Sequence, residues 1–216
     1  MADALPVGRF HCWWRGDPLP ALPQLAGLSI EPTSDRALMA RLMGVEEDEA
    51  AARVLRGHQP WLARVGVEPV GWGWCACSEL DIGELGLSRL LPPRNRYLWD
   101  FVTVPPWRGR RIYPRLLQVI VTGSQDADRF WIGHDQPNVA SARGIARAGF
   151  AEVGVLFVSD AGDFELVPAA SPRIAAASAL FGIPIIGGSF ADRMSDDIHP
   201  RTTIGSATIA ESRRER

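Results

Sequence analysis

Two short stretches hold the residues best suited to chemistry. The first is residues 104–113, Val-Pro-Pro-Trp-Arg-Gly-Arg-Arg-Ile-Tyr, where an apolar run gives way to an amphipathic one. A helix start leaves backbone N–H groups unpaired and carries the positive end of the dipole, so it attracts anions, phosphate above all. Arg108, Arg110 and Arg111 would add charge-assisted donors in that first turn. The plainer reading of the same residues is a solvated basic helix start. The second stretch is His134-Asp135, followed by Asn138-Val139-Ala140-Ser141. His134 closes an apolar run, at the end of a strand where open α/β sheets gather ligands, and is a candidate general base. Asp100 interrupts another apolar run. If buried there, it would have a raised pKa suited to taking a proton near neutrality, the alternative being a structural hydrogen bond.

Composition narrows the chemistry. The chain has 216 residues, 46% hydrophobic and 22% charged, with a formal net charge of -2. That balance suits a folded globular protein and argues against a nucleic-acid or anionic-membrane binder. All 23 cationic residues are arginine, which excludes lysine Schiff-base chemistry and a phosphate-loop lysine. Cys12, Cys75 and Cys77 are odd in number and form no C-x-x-C, so neither a disulfide framework nor a metal site is expected. The N-terminal residues lack a basic region followed by an apolar core, and the uncharged stretch 174–191 is broken by glycine and proline. No membrane span is expected, and a cytoplasmic location is the default.

The elements that must position these residues follow from periodicity and punctuation. Residues 1–27, rich in proline and carrying Trp13 and Trp14, read as an extended arm with one short strand at 10–14, its tryptophans covering a sheet edge. A strand at 28–31 precedes two helices, one capped by Ser34 or Asp35 and one over 46–55 with acids first and arginine late. Strands at 61–67 and 70–77 form a hairpin in which Gly71 and Gly73 alternate with Trp72 and Trp74. Strand 97–104, helix 110–122 and strand 130–133 make a parallel pair with a crossover. Asn138 caps a helix that Gly149 ends, and a hairpin over 152–167 closes the domain. Residues 169–216 read as a tail. The domain proper spans 28–168.

The loop at 108–113 resembles the pyrophosphate loop Q/R-x-x-G-x-G/A of the GNAT superfamily of acyl-CoA-dependent N-acyltransferases, with Arg111 and Tyr113 where that family has small residues. Asn138-x-x-Ser141, ending in Gly149-Phe150, is similar to the family's Asn-x-x-Ser helix. The resemblance covers residues 28–167 and implies an α+β fold: a mixed central sheet of about seven strands with a splayed parallel pair and about four flanking helices. It implies that acetyl-CoA or another acyl-CoA is the donor. Its pantetheine would run along Phe101, Val102 and Thr103, its pyrophosphate would sit on the amides of Arg108, Gly109, Arg110, Arg111, Ile112 and Tyr113, and Asn138 and Ser141 would meet its far end. An amine would attack the thioester while a backbone N–H polarises the carbonyl. Asp100 and His134 are the candidate bases. The tyrosine that often protonates the leaving thiolate is replaced by Ile145.

Three functions are compatible with these residues. The first is acyl transfer from acyl-CoA to a primary amine of a small molecule or peptide. The second is a non-catalytic ligand- or partner-binding module of the same fold. The third is acyl transfer from an acyl-carrier protein. A homodimer stays open.

Overall fold

The computed structural model describes residues 5–159 and 161–187. In chain order its elements are β1 (Leu5–Trp14), β2 (Leu28–Pro32), α1 (Arg36–Met43), α2 (Glu47–Leu55), β3 (His58–Val65), β4 (Glu68–Ala76), β5 (Glu79–Ile82), β6 (Leu87–Leu90), β7 (Asn95–Thr103), α3 (Ile112–Gly123), β8 (Arg129–Asp135), α4 (Val139–Ala148), β9 (Ala151–Val158), β10 (Phe164–Pro168) and α5 (Ile174–Phe181). Eight strands form one mixed sheet in the order β10-β9-β1-β8-β7-β4-β3-β2, and β5 and β6 make a separate small hairpin. Such a sheet is the α+β architecture expected, with one strand and one helix more than the sequence suggested.

Two apolar layers sandwich the sheet. On one side, α3 and α4 pack through Ile112, Leu116, Leu117, Ile120 and Ile145 against Cys75, Leu98, Phe130 and Ile132. On the other, α1 and α2 cover Trp72 and Trp74, while α5 covers Phe10, Tyr97 and Trp131. The alternation of Trp74 with Cys75, and of Trp131 with Ile132, is the strand period sending neighbours to opposite faces.

Residues 5–14 and 174–181 depart from the reading as arm and tail. Strand β1 is no edge cover: it lies inside the sheet, antiparallel to β8 on one side and β9 on the other. Trp13 is buried in the core beside Phe130, and Trp14 carries the guanidiniums of Arg129 and Arg173 on its ring. Its strand partners lie over a hundred residues away, so local proline density pointed to extension but not to pairing. Helix α5 likewise belongs to the core, with Phe181 stacked on Phe10 at a centroid distance of 4.0 Å. The arginine-rich C-terminus falls outside the described residues.

The feature that shapes the site lies between β7 and β8. These strands run parallel and in register from Asn95–Arg129 to Leu98–Ile132, and there the pairing stops. Beyond it, β7 gains an extra residue against β4, since Trp74 faces Trp99 but Trp72 faces Val102. Asp100 sits in that bulge in the left-handed region at φ 52. A bulge bends its strand and raises the local twist. Strand β7 thus turns away from β8 and leaves a gap between them.

Candidate active site

A cleft of about 970 Å³ opens at that gap. On one face of the sheet Tyr113, Asn138 and Ser141 line it; on the other, Glu49, Arg53, Arg56, His58, Asp81 and Ile82 do. Gly133, His134, Asp135, Trp99, Asp100 and Phe101, from the diverging strand ends, connect the two halves. The splay therefore joins a helix-start site on one face to a separate chamber on the other.

The helix-start end is built by residues 105–113. Pro105–Trp107 form one turn of 3-10 helix, after which Gly109 and Arg111 both take positive φ, 78 and 61. Two left-handed residues so close turn the chain sharply and leave the first amides of α3, at Ile112 and Tyr113, without helical acceptors. Arg108 is drawn back by a hydrogen bond from its Nε to the Thr103 carbonyl at 3.3 Å, and Arg110 stacks on Trp107 at 4.7 Å. Arg108, Gly109, Arg110 and Arg111 are exposed. Free amides with guanidiniums beside them suit a pyrophosphate.

At the inner end, Asn138 caps α4 by accepting from the Ser141 amide at 3.0 Å. Ser141 Oγ lies 3.2 Å from Tyr113 Oη. The Tyr113 ring rests against Gly144, where a side chain would overlap it, and tilts against Phe101 at 5.3 Å. Burial pushes the Tyr113 phenol well above its usual value, the Ser141 contact opposing it. Phe101 in turn covers the bare face of Gly73, so the glycine-tryptophan alternation of β4 is space for this ring. Ile145, on the buried face of α4, offers no proton.

His134 is half-buried and its Nδ1 lies 2.8 Å from the Asp135 carbonyl. A carbonyl only accepts, so Nδ1 carries a proton. Nε2 is shielded and has no hydrogen-bond partner among the described residues. The ring stacks on His11 at 5.1 Å. Burial, with the charges of His134 and Arg9 behind it, lowers His11 to about 3, so His11 stays neutral.

Asp100 takes the alternative of a structural contact. It is exposed rather than buried, because the bulge turns it out of the apolar strand, and its carboxylate binds Arg53 at 2.5 Å. Arg53 is also held by Glu49 at 2.9 Å and lies over the rings of Trp99 (4.6 Å) and Trp74 (5.3 Å). A carboxylate so engaged is a poor base. Sequence reasoning missed Arg53 and His58, the latter meeting Trp99 edge-on at 5.3 Å and lowered to about 4 by burial, with Arg56 and Arg53 adding to it. Neither residue sits in a local motif; only the folding of α2 and β3 against β7 brings them to the cleft.

The residues present fit an acyl-CoA at its two anchoring ends. Helix-start amides and arginines suit the diphosphate, and the unpaired edge of β7 beyond Trp99 suits an extended amide-bearing chain. Tyr113 lines the cleft between them.

No family model matches the chain, and no curated protein matches it. Solved structures do. A GCN5-related N-acetyltransferase from Sphaerobacter thermophilus is 17% identical with a TM-score of 0.51, the match covering 71% of this chain and 52% of that one. An acetyltransferase of the GNAT family from Colwellia psychrerythraea is 16% identical at a TM-score of 0.47, over 70% and 54%. A Salmonella typhimurium protein solved with its cofactor acetyl-CoA is 16% identical at 0.44, over 58% and 80%. The chain spans about half the length of the first two. By its likeness to the Sphaerobacter structure, this protein has the GNAT fold.

Proposed function

We propose that the protein is an N-acyltransferase that moves an acetyl or other acyl group from acyl-CoA to a primary amine. The observation that carries this reading is the cleft crossing the sheet at the β7–β8 splay, with an anion-binding helix start on one face and a separate chamber on the other. Two substrates entering from opposite faces would meet beside Gly133 and His134. The donor supplies an activated acyl thioester.

The chain's own residues would bind, orient and deprotonate. Arg108, Arg110, Arg111 and the amides of Gly109, Ile112 and Tyr113 would hold the diphosphate. The backbone of Phe101, Val102 and Thr103 would pair with the extended arm, and Asn138 and Ser141 would border its reactive end. His134 is the candidate base, and Asp100 would serve through its hold on Arg53. Positioning of this kind supplies much of the rate in two-substrate reactions.

One observation favours a second reading. The Tyr113 ring packed on Gly144 and the buried Ile145 suit a binding module without turnover, or a donor on a carrier protein. Calorimetric titration with acetyl-CoA and octanoyl-CoA separates these. Micromolar binding, about -8 kcal/mol, followed by thiol release with amines, supports acyl transfer from CoA. Binding of neither ester overturns it.

A further inference from the structure

Resting on the acyltransfer reading, we infer that the acyl group is a medium-length aliphatic chain, lodged in an apolar trough that runs from the splay across β1 and β9 to β10. Val7 and Phe10 of β1, Leu156 of β9 and Phe164 of β10 line this part of the cleft, with Ile82 and Leu85 from the β5–β6 hairpin. All of them belong to one hydrophobic layer. The trough begins at the splay itself. Gly133 has no side chain there, and the ring of its cross-strand partner Phe10 lies 3.2 Å from where a Cβ would be. From β8 to β10 is three strand spacings, about 14 Å.

Charge gathers in the other part of the cleft. Glu49, Arg53 and Arg56 come from α2, Asp81 from β5 and Asp100 from the bulge, and they pair among themselves. Arg9 follows the strand period to the face opposite Phe10, where it meets Glu152 at 2.7 Å. Asp135, at the outer end of β8, is exposed. A donor with its diphosphate at the start of α3 and its arm along β7 would bring the thioester to the splay from the α3 face. Whatever the thioester carries beyond its carbonyl would then continue onto Phe10. An acetyl group ends at the splay and leaves the trough wet, whereas a longer chain takes that apolar surface out of water. The acceptor amine, charged until it reacts, suits the polar part beside α2. In the transfer its nitrogen bonds to the carbonyl carbon, the carbon–sulfur bond breaks, and the proton the amine loses balances the thiol released.

Calorimetric titration of the full chain with acetyl-, butyryl-, hexanoyl- and octanoyl-CoA, each below its micelle concentration, tests the assignment. Each methylene that enters the trough should tighten Kd by about fourfold, so affinity should climb along the series. Phe164→Asp and Ile82→Asp place a charge in the trough from two separate elements. Each should lower the octanoyl-to-acetyl affinity ratio by about tenfold, the charge having to be buried beside the chain. Damage to the fold alone would weaken both esters together and leave that ratio where it was. The wild-type series decides the matter even where a variant does not fold. Affinities that agree within about twofold across the series overturn the inference and leave the trough to the acceptor's body. A ratio unmoved in a folded variant of either kind overturns it too. The acyltransfer reading fails separately: binding of none of the esters ends that reading and this inference with it, whereas equal binding of all of them ends the inference alone.

Discussion

The Tyr113 ring fills the space that a side chain at Gly144 would need, so α3 and α4 approach each other only because one bears an aromatic ring and the other none. The ring also forms one wall of the passage at the splay. Trimming it should therefore separate stability from donor binding. Tyr113→Ala is expected to cost about 3 kcal/mol in denaturant unfolding, as for other buried aromatics. In the same variant acetyl-CoA should bind about tenfold more tightly, about 1.4 kcal/mol. Tyr113→Phe removes only the Ser141 contact and should cost about 1 kcal/mol with donor affinity unchanged.

Arg111 combines a charge with a strained backbone, at φ 61. Arg111→Gly should relieve about 1 kcal/mol of left-handed strain and raise the denaturation midpoint. Arg108→Ala combined with Arg111→Ala should weaken CoA binding by about 1.5–3 kcal/mol for each charged hydrogen bond lost. Calorimetry reads both effects. Equal CoA affinity in the double variant would move the diphosphate away from this loop.

His134 and Asp100 make different demands on kinetics. His134→Gln should lower kcat by about 10²–10⁴-fold, the usual contribution of a positioned base. Asp100→Asn should act mainly on acceptor KM, because the carboxylate holds Arg53 instead of taking a proton. A large kcat loss in Asp100→Asn with a normal His134→Gln enzyme would reverse the assignment.

The buried histidines predict how stability depends on pH. His11 and His58 are held at about 3 and about 4 in the folded protein, far below their unfolded value of 6.5. Between those values the unfolded chain binds protons that the native state does not. Stability is therefore greatest above pH 6.5 and falls as pH drops through the window, by up to about 1.4 kcal/mol per unit for each histidine. His11→Leu should halve that slope in urea titrations. A slope that is unchanged would mean that His11 titrates normally.

Helix α5 gives a test of domain extent. Phe181→Ala removes a ring stacked on Phe10 and should cost about 3–5 kcal/mol. A chain ending at residue 168 should lose cooperative unfolding, read by near-ultraviolet dichroism. Retention of a sharp transition would return residues 169–187 to the status of a tail.

Local residue types determined much of this protein. Apolar runs at β7 and β8, the helical stripe from Ile112 to Val121, the Asn138 cap and Gly149 stop, and the arginine loop were legible because each depends on neighbours a few residues away. The parallel pair followed from strand, helix and strand in succession. Only the tertiary structure decided the rest. Strand β1 and helix α5 find their partners at the opposite end of the chain, and pairing at such separation leaves no periodic trace beyond ordinary apolar residues. The apolar neighbours of Asp100 left open whether it is buried or makes a structural contact; a one-residue bulge against β4 turned it to solvent and into the reach of Arg53. The cleft takes part of its lining from β1 and β8, whose partners Gly8–Asp135 and Phe10–Gly133 lie over a hundred positions apart. Spacing in sequence governs helices, caps and loops, whereas a site between diverging strands is made by which distant segments the sheet brings side by side.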